Sequence, residues 1–208
     1  MGILFFMSAC TKNLTQKNLL YSNDFETGEL RGLEIYSVNG IIYTTMIEDF
    51  NGSKVLGRFN NNTIRIELNS IPTHNAINVE FTLNIHDKWD GIFLGATNRP
   101  DIWNMSVDGS SVLTTTFSNS PSNKQSYPNF YQSGTPFPAK SNSQDSALTG
   151  ICALKGIAGG SSSYKIVKTF VHSGRQFTFQ CNDALQPFNS LCLKSWSIDN
   201  LTITAIQY

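Results

Sequence analysis

Charge is scarce in this 208-residue chain and has no preferred sign: 14% of residues are charged, 15 basic against 15 acidic. That balance removes the electrostatic reason to expect nucleic acid or an acidic membrane surface as partner. Long apolar runs are missing as well. Nothing after the first residues approaches the roughly 20 consecutive apolar positions of a membrane helix, so the body of the chain is predicted to be soluble. No sustained 3.6-residue periodicity is present, which argues against helical architecture. Tight ligand pairs such as CxxC or HxxxH do not occur, which excludes the common zinc patterns. No run of the Glu-x-Asp-x-x-Glu kind exists, and Glu48-Asp49 would place its acids on opposite faces of a strand. His74, His86 and His172 stand in no motif that names a base. A glycoside hydrolase or lyase is therefore the weaker reading, and the chain is read as a non-enzyme.

What is present has a period of two. Ile77, Val79, Phe81, Leu83 and Ile85 alternate with Asn78, Glu80, Thr82, Asn84 and His86, as a half-buried strand requires. Ile64, Ile66 and Leu68, then Trp103, Met105 and Val107, then Phe177, Phe179 and Cys181 repeat the pattern. Turn signals separate these runs at Asn60-Asn61-Asn62, Ile71-Pro72, Asp108-Gly109 and Ser173-Gly174. Many short strands without helices predict an all-β chain: an antiparallel β-sandwich, most simply a jelly roll of the concanavalin or galactose-binding kind. Trp103, inside an alternating strand, is assigned to the core. The length suits one domain, taken as 19–208, after a lead at 1–10 and a short linker at 11–18. Residues 118–146 break the rhythm with Ser, Asn, Gln and Pro around Tyr127, Phe130, Tyr131 and Phe137. A loop of that length either plugs the sandwich with its aromatics or contacts ligand.

Cys181 and Cys192 bracket a polar, turn-rich segment and are read as a disulfide pair, leaving Cys152 as a small buried hydrophobe.

The segment Asp24-Phe25-Glu26, taken as a strand, sends Phe25 to the core and both acids outward. Near the other end, Trp196 and Ile198 share one parity while Leu201, Ile203 and Ala205 share the other, so the phase slips at Asp199-Asn200. A one-residue bulge would do this and re-aim Asp199. If the first and last strands are neighbours, Asp199 approaches Glu26 and Asp24, and clustered carboxylates call for a hard cation, Ca2+ being the economical choice. The alternative is three solvated acids at a sheet edge. Asp87, Asp90 and Asp101 could form a second cation site or simply cap turns.

Three resemblances carry these readings further. The segment Met7-Ser8-Ala9-Cys10, after an apolar run, resembles the bacterial lipoprotein signal, which implies lipidation of Cys10 and a lipid-anchored place in the cell envelope, at the outer-membrane surface. SNDFETGELRGL and SWSIDNLTI resemble the opening and closing strands of calcium-containing jelly-roll carbohydrate-binding modules, which implies Glu26 and Asp199, with Asp24, as ion ligands. HDKWDG, RPDIWNMSVDG, TTFSN and QSYP together resemble a poorly characterised β-sandwich domain of secreted and surface-anchored bacterial proteins. The expected function is a non-catalytic surface module for carbohydrate binding or adhesion, its partner a glycan or a cell-surface protein. Trp89, Tyr127 and Tyr131 are the candidate aromatic contacts, with Asp87 and Asp90 beside Trp89. The alternative expectation is a structural or accessory lipoprotein subunit of an envelope assembly.

Overall fold

The computed structural model describes residues 14–37, 39–42, 46–95, 98–188 and 190–208. The lead at 1–10, with Cys10, and residues 11–13 of the 11–18 linker lie outside them. The first strand among the described residues is β1 (Gln16–Asn23), so residues 16 to 18 belong to a strand rather than to a linker.

Eleven further strands follow among the described residues: β2 (Glu34–Ser37), β3 (Gly40–Ile42), β4 (Ile47–Phe50), β5 (Ser53–Phe59), β6 (Thr63–Asn69), β7 (Ala76–Asp87), β8 (Ile102–Val107), β9 (Ser110–Thr116), β10 (Ser161–Val171), β11 (Gln176–Ala184) and β12 (Lys194–Gln207). They form two six-stranded antiparallel sheets. One runs β10-β7-β12-β5-β4, with β1 also paired to β12; the other runs β3-β2-β6-β11-β8-β9. From β5 onward the chain crosses to the other sheet at every step except the β8-β9 hairpin, and the result is a β-sandwich with jelly-roll connectivity.

Alternation places each strand's apolar half inside. Val79, Phe81, Leu83 and Ile85 of β7 face Trp103 and Met105 of β8 and Phe177 and Phe179 of β11 within one buried cluster. Phe81 packs against Trp103 and Phe179 with ring centroids 6.2 and 5.7 Å apart, and Trp103 meets Trp196 edge-on at 6.1 Å. The complementary polar residues of β7, including Thr82 and Asn84, line the outer face, where the site described below is built.

Both end motifs behave locally as irregularities. The pairing of β12 with β7 shifts register between Asp199 and Thr202, and Asn200 adopts φ of 53°, so the phase slip is a bulge. β1 is the neighbour of β12, joining first strand to last. At the other end the expected strand through Asp24-Phe25-Glu26 is instead a turn. β1 stops at Asn23, Phe25 has φ of 60°, and its carbonyl accepts Gly28 N at 2.9 Å. The facing is nevertheless alternating, because Phe25 is driven into the core while Asp24 and Glu26 stay exposed.

Residues 118–146 contain no regular strand and are tied down around one fully buried amide, Gln125. Its Oε1 accepts Ser118 N at 3.1 Å, Lys140 N at 2.9 Å and the Tyr164 hydroxyl at 3.2 Å. Its Nε2 donates to Tyr127 O at 3.3 Å and Ser141 O at 3.1 Å. Five contacts on one side chain organise a segment whose own backbone pairing is limited to isolated bridges.

The disulfide joins Cys152 to Cys192, not Cys181 to Cys192. Cys181 lies within β11 with its side chain in the core, opposite Met105, where it cannot meet a cysteine in the loop before β12. Cys152 is brought to Cys192 by the loop before β10, and Ala153 N donates to Cys192 O at 3.1 Å.

Candidate functional site

On the outer face of the β10-β7-β12-β5-β4 sheet, a hollow of about 360 Å3 opens between the β4-β5 hairpin and the loop before β10. Thr82 and Asn84 of β7, Ser163 of β10, Gln144 and Asp145 of the loop, and Asp199 and Asn200 of the bulge line it. The polar half of β7 supplies side chains from a flat sheet, and the bulge turns Asp199 toward the same space. Among the described residues no lysine or arginine lines the hollow. Phe50, Val55 and Leu148 form a small apolar cluster at its edge, so the one aromatic side chain there is nearly buried and offers little open face.

Beneath that cluster His86 is fully buried. Its Nε2 lies 2.8 Å from Ser197 Oγ, its Nδ1 3.3 Å from Ser161 Oγ, and the Phe50 ring meets it edge-on at 4.6 Å. Burial, with Arg58 adding a smaller repulsion, lowers its pKa to about 3. It is a neutral packing element and not a base poised near neutral pH.

Beside the hollow, Glu26 and Asp199 converge on Ser53. The Ser53 hydroxyl is 2.6 Å from Glu26 Oε1 and 3.1 Å from Asp199 Oδ2. Glu26 Oε1 also accepts Lys54 N at 2.8 Å. These bonds, that from Ser53 first, hold the exposed Glu26 carboxyl below its ordinary value. Asp199 moves the other way: burial raises it, with Ser53 and Asn200 N opposing and the charges of Glu26 and Asp24 adding to the rise. The two directions are compatible because Ser53 has one proton to give and Glu26 is nearer. Asp24 remains apart, its Oδ1 accepting Glu26 N at 3.3 Å. The donor set of two carboxylates and one hydroxyl is the hard-oxygen chemistry that Ca2+ takes. Among the described residues no group of three His, Cys, Asp or Glu side chains gathers as a metal cluster.

The sequence-derived contact residues do not assemble into a platform. Trp89 is fully buried, its Nε1 donating to Ser195 O at 2.8 Å and its ring meeting Phe117 edge-on at 6.3 Å; it has no face to offer a ligand. The loop carrying Asn119 folds over the Lys88-Trp89-Asp90 segment, with Asn119 N donating to Trp89 O. Tyr127 is half-buried against Phe117 and Tyr164, at centroid distances of 4.9 and 5.2 Å, so it plugs the sandwich. Tyr131 is half-exposed, and its backbone N donates to Thr114 O at 2.7 Å. Asp87 is buried and caps the amides of Cys152 and Leu154. Asp90 and Asp101 share the Lys194 ammonium at 3.0 and 2.9 Å, and Asp101 Oδ2 accepts Asp90 N at 2.6 Å, so a lysine already offsets one charge of this carboxylate pair. Ser53, Gln125, Gln144 and Ser163 were not singled out by sequence. Only Thr82 and Asn84 carried a signal, as the polar half of an alternating strand.

Glu48 and Asp49 are taken up separately, Glu48 by Arg58 and Asp49 by Lys54, each at 3.0 Å.

No protein-family model matches the chain, and no curated protein matches it. Solved structures do resemble it. A family 35 carbohydrate-binding module from Clostridium thermocellum is 11% identical with a TM-score of 0.34, over 82% of this chain and 96% of that one. The K3 adhesin domain of Lys-gingipain from Porphyromonas gingivalis is 13% identical with a TM-score of 0.43, over 91% and 99%. An exo-β-1,3-galactanase from Phanerochaete chrysosporium is 10% identical with a TM-score of 0.36; 84% of this chain spans 28% of that larger one. Likenesses this distant carry no residue correspondence, and the sandwich assignment stands on the strand pairing itself.

Proposed function

We propose that this protein is a non-catalytic carbohydrate-binding or adhesion module that takes its ligand in the hollow on the outer face of the β7 sheet. One observation carries the reading: amide, hydroxyl and carboxylate side chains from three strands and a loop converge on an open space of about 360 Å3, within the range of small-ligand sites. Asn84, Gln144, Thr82 and Ser163 offer the donors and acceptors that sugar hydroxyls require. With Phe50 almost covered, recognition here rests on hydrogen bonds more than on stacking. In this proposal a structural Ca2+ is held by Glu26 and Asp199, with Ser53 as a neutral ligand, and steadies the bulge that forms one wall. The same reading makes the protein a lipid-anchored component of a bacterial cell envelope through Cys10. The Cys152–Cys192 disulfide supports a place outside the reducing cytoplasm.

The test is a glycan array probed with the full chain, in calcium and in chelator. Binding to a defined sugar class that is lost in Asn84→Ala and Gln144→Ala supports the module. Incorporation of a fatty-acid analogue into the wild type and not into Cys10→Ala tests the anchor.

A second reading, an accessory subunit of an envelope assembly, is favoured by a different observation. Phe93, Phe188 and Leu191 are exposed, and Phe93 shares a hollow with Pro187 and Leu193 at one end of the sandwich. Apolar side chains in that setting suit a protein partner better than a sugar. A blank array from folded protein, with cross-linked partners recovered from intact cells, would select it.

A further inference from the structure

Where β7 runs out, a separate hollow of about 430 Å3 is lined by Asp87, Asn119, Pro121, Leu154, Ile157 and Gly160, among others. Asp87 is fully buried and has φ of 63°. Its backbone is committed: the N donates to Gly160 O at 2.7 Å, and the carbonyl accepts Trp89 N and Asn119 Nδ2, each at 3.0 Å. Its Oδ1 accepts Cys152 N at 3.1 Å and Leu154 N at 2.9 Å. Its Oδ2 is buried and has no hydrogen-bond partner among the described residues. Leaving a buried carboxylate oxygen unpaired is costly, so the geometry calls for a further donor.

Of the nearby lysines, Lys88 lines the hollow but is exposed and does not reach Asp87 Oδ2, and two others are committed elsewhere. Lys194 is held between Asp90 and Asp101, and Lys140 donates to Ser146 O and Gly159 O. A calcium ion would need six to eight oxygens. Three carbonyls close by already accept twice: Asp87 O as above, Gly160 O from Asp87 N and Asn119 Nδ2, and Ser120 O from Asn123 N and Ser118 Oγ; the Asp90 carboxylate, also at the hollow, is held by Lys194. Pro121, Leu154, Ile157 and Ala158 make much of the remaining wall apolar. A group that asks for one strong acceptor and an apolar sleeve fits better than a bare metal ion.

We propose that this hollow binds a primary alkylammonium group, with the ammonium on Asp87 Oδ2 and the alkyl stem along Leu154 and Ile157. The ammonium replaces the missing donor with a charge-assisted hydrogen bond, and the stem covers Ile157, which is otherwise 58% exposed. The group can come from a free amine or from a lysine side chain of a peptide. The site is distinct from the polar hollow on the sheet face and does not depend on carbohydrate binding.

The experiment is an amide-resolved NMR titration of the full chain with n-butylammonium chloride, with n-butanol, and with a blocked lysine tripeptide, at constant ionic strength. n-Butylammonium is expected to give saturable shifts at Cys152, Leu154, Ile157 and Gly160. n-Butanol, and n-butylammonium with Asp87→Asn, should bind about 10-fold more weakly, as expected for loss of one charge-assisted bond. Asp87→Asn retains an acceptor for the two loop amides. Should it fail to fold, Ile157→Ser tests the stem, weakening n-butylammonium and leaving methylammonium unchanged. A tripeptide that binds as well as n-butylammonium points to a protein lysine, and binding of n-butylammonium alone points to a small amine. Absence of saturable shifts, equal binding of n-butanol, or undiminished binding by Asp87→Asn would overturn the proposal.

Discussion

Glu26 and Asp199 share one hydroxyl, that of Ser53, which lies 2.6 Å from the first and 3.1 Å from the second. A single proton serves the nearer oxygen, and the more buried carboxylate is left with the weaker contact. A cation bridging both acids would relieve this, which gives the calcium reading a measurable consequence. Calcium is expected to raise the melting temperature of the wild type and chelator to lower it. Asp199→Ala should melt lower in calcium and lose the calcium-dependent part altogether. Identical melting of mutant and wild type under both conditions would discard the ion site.

The buried His86 ties stability to pH. Its folded-state pKa of about 3 lies below the ordinary histidine value of 6.5, so the unfolded chain binds the extra proton first. Its contribution is complete above pH 6.5 and is lost as pH falls from there toward 3, at up to about 1.4 kcal/mol per pH unit. Asp101 and Asp183, whose carboxyls burial pushes up to about 6, act in the opposite sense between pH 6 and 3.8, because the folded state takes up their protons first. Comparing urea denaturation of the wild type and His86→Gln from pH 7 to 4 separates the terms. The variant should lose less stability on acidification, and parallel curves would contradict the assignment.

Reduction should matter through the one disulfide among the described residues. The Cys152–Cys192 disulfide spans 40 residues of sequence, and in the loop-closure account its loss costs about 3 to 4 kcal/mol. Cys192→Ser and reduced wild type should therefore melt at similar, lowered temperatures. Thiol alkylation of the oxidised protein should label Cys181, and only after denaturation, since that side chain is fully buried. A Cys181-containing disulfide in the peptide map would refute the pairing.

Trp89 is a core residue, and its variants should report stability and not affinity. Trp89→Ala removes a fully buried indole bonded to Ser195 O and is expected to cost about 3 to 5 kcal/mol. Trp89→Phe should fold and retain whatever glycan binding the wild type has. Selective loss of binding by a folded Trp89→Phe would return Trp89 to the ligand site.

Gln125 predicts a local effect. Gln125→Ala removes five contacts at once and should raise proteolysis within 118–146 well before global unfolding, read by limited digestion. Cleavage kinetics unchanged from wild type would show that the loop is held by other means.

The strands and their facing were legible in the residues because alternation is a local property: a pleated chain sends successive side chains to opposite faces wherever it lies. Val79, Phe81, Leu83 and Ile85 were assignable to the core, Thr82 and Asn84 to the outside, and the slip at Asp199-Asn200 to a bulge on those grounds alone. The turn at Phe25 was not legible, since a burial pattern of exposed, buried, exposed is the same for a strand and for a left-handed turn.

Long-range meetings were of another kind. Ser53 comes to Asp199 across 146 positions because β5 pairs with β12, and Cys152 reaches Cys192 because two loops end beside each other where β10 and β12 flank β7. Trp89 was misplaced for the same reason: its immediate neighbours are charged and turn-forming, while the residues that bury it, Phe117 and Asn119, arrive from a later loop. Period and parity set which face each residue takes. Strand order, which depends on how the apolar faces close over one another, set which distant residues share a site.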